Sequence, residues 1–163
     1  MKTLTRTICL TLTLLLGSVG TSWGADFDKG VAAYESGDFA TALREFRPLA
    51  EQGFADAQNN LGVMYRKGEG VPQDDKSAVK WYTLAAEQGY ARAQYSLGVM
   101  YGTGQGVIQD NVYAHMWWNI AASNGYENGV KLRDLAAGQM TPADISTAQN
   151  LARECVRKNY KGC

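Results

Sequence analysis

Apolar positions along this chain recur with the period of a helix, and the whole pattern restarts every 36 residues. Ala57, Leu61, Met64 and Tyr65 fall at i, i+4, i+7 and i+8, one face of a helix, and Ala93, Leu97, Met100 and Tyr101 repeat the spacing. A second stripe follows in each unit. Ala78, Trp81, Tyr82, Ala85 and Ala86 form the first of these, and Ala114, Trp117, Trp118, Ala121 and Ala122 form its copy. Two helices per unit are predicted, both stripes facing the core, with Gly62, Gly98, Ala78 and Ala114 small enough to let backbones approach. Upstream, "ALREFRPLAEQGF" at 42–54 matches the second half of the unit, giving about two and a half copies. Self-similarity at this period marks a stacked array.

The polar stretches between stripes read as joints. Gly68 and Gly70 permit turns with positive φ, Pro72 disfavours helix at Val71, and Asp74 is placed to cap the next helix. Gly104, Gly106 and Asp110 repeat the device, with Ile108 in place of the proline. Gly53, Gly89 and Gly125 end the second helices. Lys67 beside two glycines invites comparison with a phosphate-cradling loop. Such a loop needs a preceding strand and a Gly-Lys-Ser/Thr at the helix start, and neither is present.

The unit A-x-A-Q-x-x-L-G-V-M-Y-x-x-G-x-G-V-x-Q-D, followed by A-x-x-W-Y/W-x-x-A-A-x-x-G-Y, resembles the Sel-one-like repeat (SLR), a relative of the tetratricopeptide repeat with a longer interhelical loop. The resemblance covers two repeats, 55–90 and 91–126. Residues 25–54 resemble a tetratricopeptide-style first hairpin, with its turn at Gly37 and Asp38 and Ala42 at the small packing position. The fold implied is all-α, a right-handed α/α solenoid of helix-turn-helix repeats. Residues 127–163 are expected to form capping helices. Val130, Leu132 and Leu135 keep a helical pattern without the Leu-Gly-x-Met-Tyr core, and Thr141-Pro142-Ala143-Asp144 is a strong helix start. A last helix is predicted to run to about Arg157, with Ile145, Ala148, Leu151, Ala152 and Cys155 on one face, closing the open end of the stack.

On the tetratricopeptide pattern, the first helix of each pair lines a concave groove. That placement turns Asp56, Asn59, Val63 and Arg66 toward the groove, followed by Arg92, Tyr95, Val99 and Gly102. Arg66 and Arg92 there suit the carboxylates of a bound peptide segment.

The N-terminus adds a destination. Lys2 and Arg6 precede an apolar run, Ile8 to Leu16, and then small residues, the layout of a secretory signal peptide over 1–24. Cleavage is expected between Gly24 and Ala25. The run is shorter than the roughly 20 residues a bilayer core requires, and Cys9 lies within it rather than after it, where an acylated cysteine would sit. A soluble protein exported to the periplasm, or beyond a Gram-negative-type cell, is therefore expected. In an oxidising compartment Cys155 and Cys163 are candidates for a disulfide, the alternative being two free thiols. The chain has sixteen Lys/Arg and sixteen Asp/Glu. Loss of Lys2 and Arg6 leaves it faintly acidic, without the basic stripe of a nucleic-acid or anionic-membrane binder.

Candidate chemistry is thin. His115 is the lone histidine, and the apolar Leu43 and Val79 at its repeat positions point to packing rather than metal ligation. Ser77 and Lys80 match Ser-x-x-Lys, the nucleophile motif of penicillin-recognising enzymes. Some cysteine-rich SLR proteins have been linked to β-lactam binding or hydrolysis, so a weak hydrolase is the alternative. Its companion motifs and the cysteine pair per repeat are absent. Glycan binding through aromatics is disfavoured because the tryptophans fall on the buried stripe. The expectation is a monomeric, non-enzymatic scaffold that binds a protein or peptide in its groove, without cofactor or metal.

Overall fold

The computed structural model describes residues 25–163; the predicted signal segment and the Gly24 side of its cleavage site lie outside them. The described residues form eight helices. These are α1 (Phe27–Glu35), α2 (Phe39–Glu51), α3 (Ala55–Lys67), α4 (Asp75–Ala86), α5 (Ala91–Thr103), α6 (Asn111–Ser123), α7 (Glu127–Ala137) and α8 (Pro142–Arg157). Helices α1 to α7 pack each against the next in chain order, the packing order of an α/α solenoid.

Local signals set the helix ends. The Asp38, Asp74 and Asp110 side chains accept backbone N–H groups of α2, α4 and α6, and Thr141 does so for α8 with Pro142 at its first position. The hydroxyl of Ser77 donates to Asp74 Oδ2 at 2.6 Å, reinforcing the α4 cap. That bond, together with the backbone N–H of Ser77, holds the Asp74 carboxyl below its ordinary pKa.

Within each repeat an aromatic ring of the second helix lies on a glycine of the first. A Cβ on Gly62 would sit 2.5 Å from Tyr82 Cε1, and one on Gly98 would collide with the Trp118 indole. Leu61, Met64, Tyr82, Leu97 and Met100 are buried around these contacts. Trp81 departs from the expected stripe. It is half-buried at the margin of the N-terminal core, while its neighbour Tyr82 is fully enclosed.

The joint loops dock on the preceding repeat. Gly70 has φ +72°, and a Cβ there would lie 2.9 Å from both Cβ and O of Phe39, the first residue of α2. Gly106, with φ +71°, abuts the backbone of Asp75, the first residue of α4, in the same way. The phosphate-loop look of the first joint dissolves accordingly. Lys67 donates to the Tyr34 hydroxyl at 3.1 Å and pairs with Glu69 at 3.5 Å, while Tyr34 donates to Glu69. The loop's charged residues tie it to α1.

Helix α8 forms with the predicted face inward, Ala148, Ala152 and Cys155 being buried. Its main partner is α6. The stack is thus braced on its flank rather than sealed at its tip, and Val130 and Leu135 of α7 remain exposed. The reason lies in the apolar surface α6 presents, because Met116, Trp117 and Ile120 share one core with Leu151, Ala152 and Cys155. Cys155 and Cys163 are joined by a disulfide that folds the last residues back over the α4–α5 turn. There Lys161 Nζ and the Gly162 N–H meet the Glu87 carboxylate at 3.4 and 3.2 Å.

Candidate protein-binding groove

The first helices α3 and α5 supply the groove side chains, and their contacts link them into one surface. Asp56 Oδ1 accepts from the Tyr90 hydroxyl at 2.7 Å. Burial and that carboxylate push the Tyr90 pKa up to about 12. Tyr95 faces Tyr126 with ring centroids 5.1 Å apart. Burial raises the Tyr95 pKa, Tyr126 adds to the shift, and the nearby Arg66 guanidinium opposes it. Arg66 also lies beside Tyr82, whose buried hydroxyl has no hydrogen-bond partner among the described residues. Burial is the largest influence on Tyr82, raising its pKa.

Among the described residues neither Arg66 nor Arg92 is in an ion pair, whereas Lys29, Arg44, Lys67, Arg133, Lys158 and Lys161 are. Arg92 is exposed; Arg66, Tyr95, Val63 and Val99 are half-buried. Asn59 differs from the open presentation expected of it. It is only 6% exposed, with Oδ1 buried and unpartnered, so it offers little surface to a ligand. Asp56 is already engaged by Tyr90, which leaves the two guanidinium groups as the unpaired charges of the set.

A structural role that pattern reading missed belongs to the repeated glutamine. Gln58 Nε2 donates to the Ala50 carbonyl at 3.0 Å while its Oε1 accepts from Gln88 at 2.8 Å. One repeat later Gln94 donates to the Ala86 carbonyl and accepts from Asn124. Each ties the end of the preceding helix to the next interhelical turn. The visible signal was a polar residue kept inside an apolar stripe. Tyr160 ends the series by donating to Asn124 Oδ1 at 3.2 Å.

The remaining candidates are accounted for by packing and capping. His115 is 2% exposed on α6 with Nδ1 unpartnered, and burial, aided by Arg133, lowers its pKa. Ser77 spends its hydroxyl on Asp74 rather than on Lys80.

Stacked hairpins with ring-on-glycine cores and glycine-rich joints define a helical repeat protein. Residues 55–90 and 91–126 each match the Sel1 repeat family, so this part of the chain consists of two Sel1 repeats. The chain is similar to a protective antigen present in uropathogenic Escherichia coli strains that displays an SLR fold, at 29% identity and a TM-score of 0.75. That likeness covers 80% of this chain and 30% of the antigen. A Sel1 repeat protein from Oxalobacter formigenes is similar at 31% identity and a TM-score of 0.64, over 66% of this chain and 44% of the other. An exopolysaccharide production negative regulator of Rhizobium leguminosarum bv. viciae is 40% identical over 57 residues, 35% of this chain. The chain spans only 21% of that regulator's length. Sel1 repeats are in general protein-interaction modules. No helix among the described residues is long and apolar enough to cross a membrane.

Proposed function

We propose that this protein is an exported, monomeric, non-enzymatic scaffold that holds a protein or peptide partner in the groove formed by α3 and α5. The observation that carries the reading is the pair Arg66 and Arg92, outside any ion pair among the described residues on a surface whose one carboxylate, Asp56, is already engaged by Tyr90. A cation without an internal partner keeps its bonding capacity for a carboxylate on a ligand. Val63, Val99 and Tyr95 supply apolar and aromatic contact beside it. The disulfide supports export, since such bonds persist in oxidising compartments.

The test is affinity capture from envelope extract with the wild-type chain and an Arg66→Glu, Arg92→Glu variant. Partners retained by the wild type should be lost from the variant while its helical content and melting temperature hold. Equal retention by both places the binding surface elsewhere.

A further inference from the structure

Between α5, α6 and α7 lies an apolar cleft of about 250 Å³, and no side chain of the described residues fills it. Its floor is Trp118 and its walls include Val99, Gly102, Leu132 and Leu135, with Gln139 on the rim. The cleft has an identifiable origin in the repeat. At the position where the first repeat carries Arg66, the second carries Gly102, whose absent side chain leaves the cleft open beside the indole. A Cβ there would already lie 3.1 Å from Trp118 Cη2. Opposite, Leu135 stands 63% exposed on a helix that lacks the repeat's own core motif.

We propose that this cleft seats one bulky apolar side chain, Leu, Met or Phe, of an acidic peptide segment that runs along α5. The inference rests on the groove reading above and names the chemistry of its partner. Three observations favour this occupant. The volume is below the roughly 300 to 1,000 Å³ of small-molecule sites, which suits a side chain rather than a whole ligand. Val99 belongs to both cleft and groove, so the two are continuous. The unpaired charges of the groove are positive, which selects an acidic neighbour for the apolar anchor. Arg92 and Val99 are seven residues apart on α5, about 10 Å along a helix. An extended peptide covers that distance in about three residues, so the recognised pattern is an acidic residue three positions from the anchor.

The test pans a random decapeptide library against the oxidised wild-type protein, then measures one enriched synthetic peptide against three variants whose melting is checked first. Enriched peptides should share the acid-x-x-apolar pattern. Leu135→Ser, a change at an exposed position, should weaken binding about tenfold and abolish preference for the apolar anchor while leaving that for the acid. Gly102→Arg, which restores the first repeat's residue, should do the same. Arg92→Glu should reverse the acidic preference and keep the anchor. If binding depends on Arg92 but is unmoved by Leu135→Ser and Gly102→Arg, the cleft is not the seat and the groove reading stands. An anchor without acidic preference overturns the charge half of the proposal. Failure to enrich any peptide sensitive to these positions overturns both readings.

Discussion

Trp81 and Trp117 hold the same place in successive repeats, yet Trp117 is 2% exposed and Trp81 is only half-buried. The same holds for the pair behind them, Val79 half-buried and His115 enclosed. What differs is the neighbour. Helix α8 packs on α6, bringing Leu151, Ala152 and Cys155 into one core with Trp117, whereas among the described residues no helix equivalent to α8 covers α4 at Trp81. A repeat position therefore fixes which way a side chain points, and its surroundings decide how much burying it stabilises. On the groove side the contrast is chemical. Asp56 and Arg66 in the first repeat become Arg92 and Gly102 in the second, so these two positions go from balanced charge without a cleft to a net positive charge with one.

The largest consequence should appear in truncation of the two tryptophans. Trp117→Ala is expected to cost about 3 to 5 kcal/mol and Trp81→Ala about 1 to 2 kcal/mol, read from urea unfolding midpoints at a common m-value. Equal losses would mean that α8 does not set the difference. Next comes the brace itself. Replacing Cys155 and Cys163 together by serine should remove about 2 to 3 kcal/mol in the chain-entropy model. Amide exchange should then quicken in α6 more than in α4, and a uniform loss across both would erase the asymmetry.

Smaller effects separate the repeats at their joints and their pH response. Ile108, 90% exposed, stands where the first repeat has Pro72; its N–H makes no backbone hydrogen bond among the described residues, and the preceding glycines Gly104 and Gly106 have the φ of Gly68 and Gly70. Ile108→Pro should stabilise by about 0.4 to 1 kcal/mol, through a less flexible unfolded chain. Thermal unfolding that moves downward instead would show the two loops are not equivalent. Finally, burial lowers the His115 pKa below its ordinary 6.5. The unfolded chain then takes up the proton first, so stability is lost as pH falls from about 6.5 through the depressed value. His115→Val, which installs the residue of the first repeat, should flatten this acid limb. An unchanged pH profile would assign the slope to other groups.

The helices and the solenoid were legible because one 36-residue pattern was written twice, and each copy corroborated the other's facing. The start of α8 was legible from Thr141 and Pro142, but its berth was not, since a segment without a repeat counterpart has no register to inherit. Trp81 and Tyr82 were not ranked, because adjacent residues at the edge of one stripe differ only by which neighbour reaches them. Of the candidate groove, the resemblance to the tetratricopeptide pattern turned Arg66 and Arg92 toward one face of the first helices. It did not disclose that Tyr90 occupies Asp56 or that Asn59 is covered, since both depend on side chains arriving from another turn. The cleft over Trp118 was hidden for a related reason. It arises from a missing side chain at Gly102 and from the placing of α7, neither of which has a hydrophobic signature.

The joint glycines bear on how such a chain acquires its length. Gly70 and Gly106 press mainly on backbone atoms of the preceding unit, carbonyl groups that every residue carries alike. A contact of that kind asks nothing of its neighbour's identity, as the unlike residues Phe39 and Asp75 at the two joints illustrate. Copying or deleting a whole unit would leave every joint with a partner it accepts, so gene duplication can lengthen or shorten the array without matching changes elsewhere.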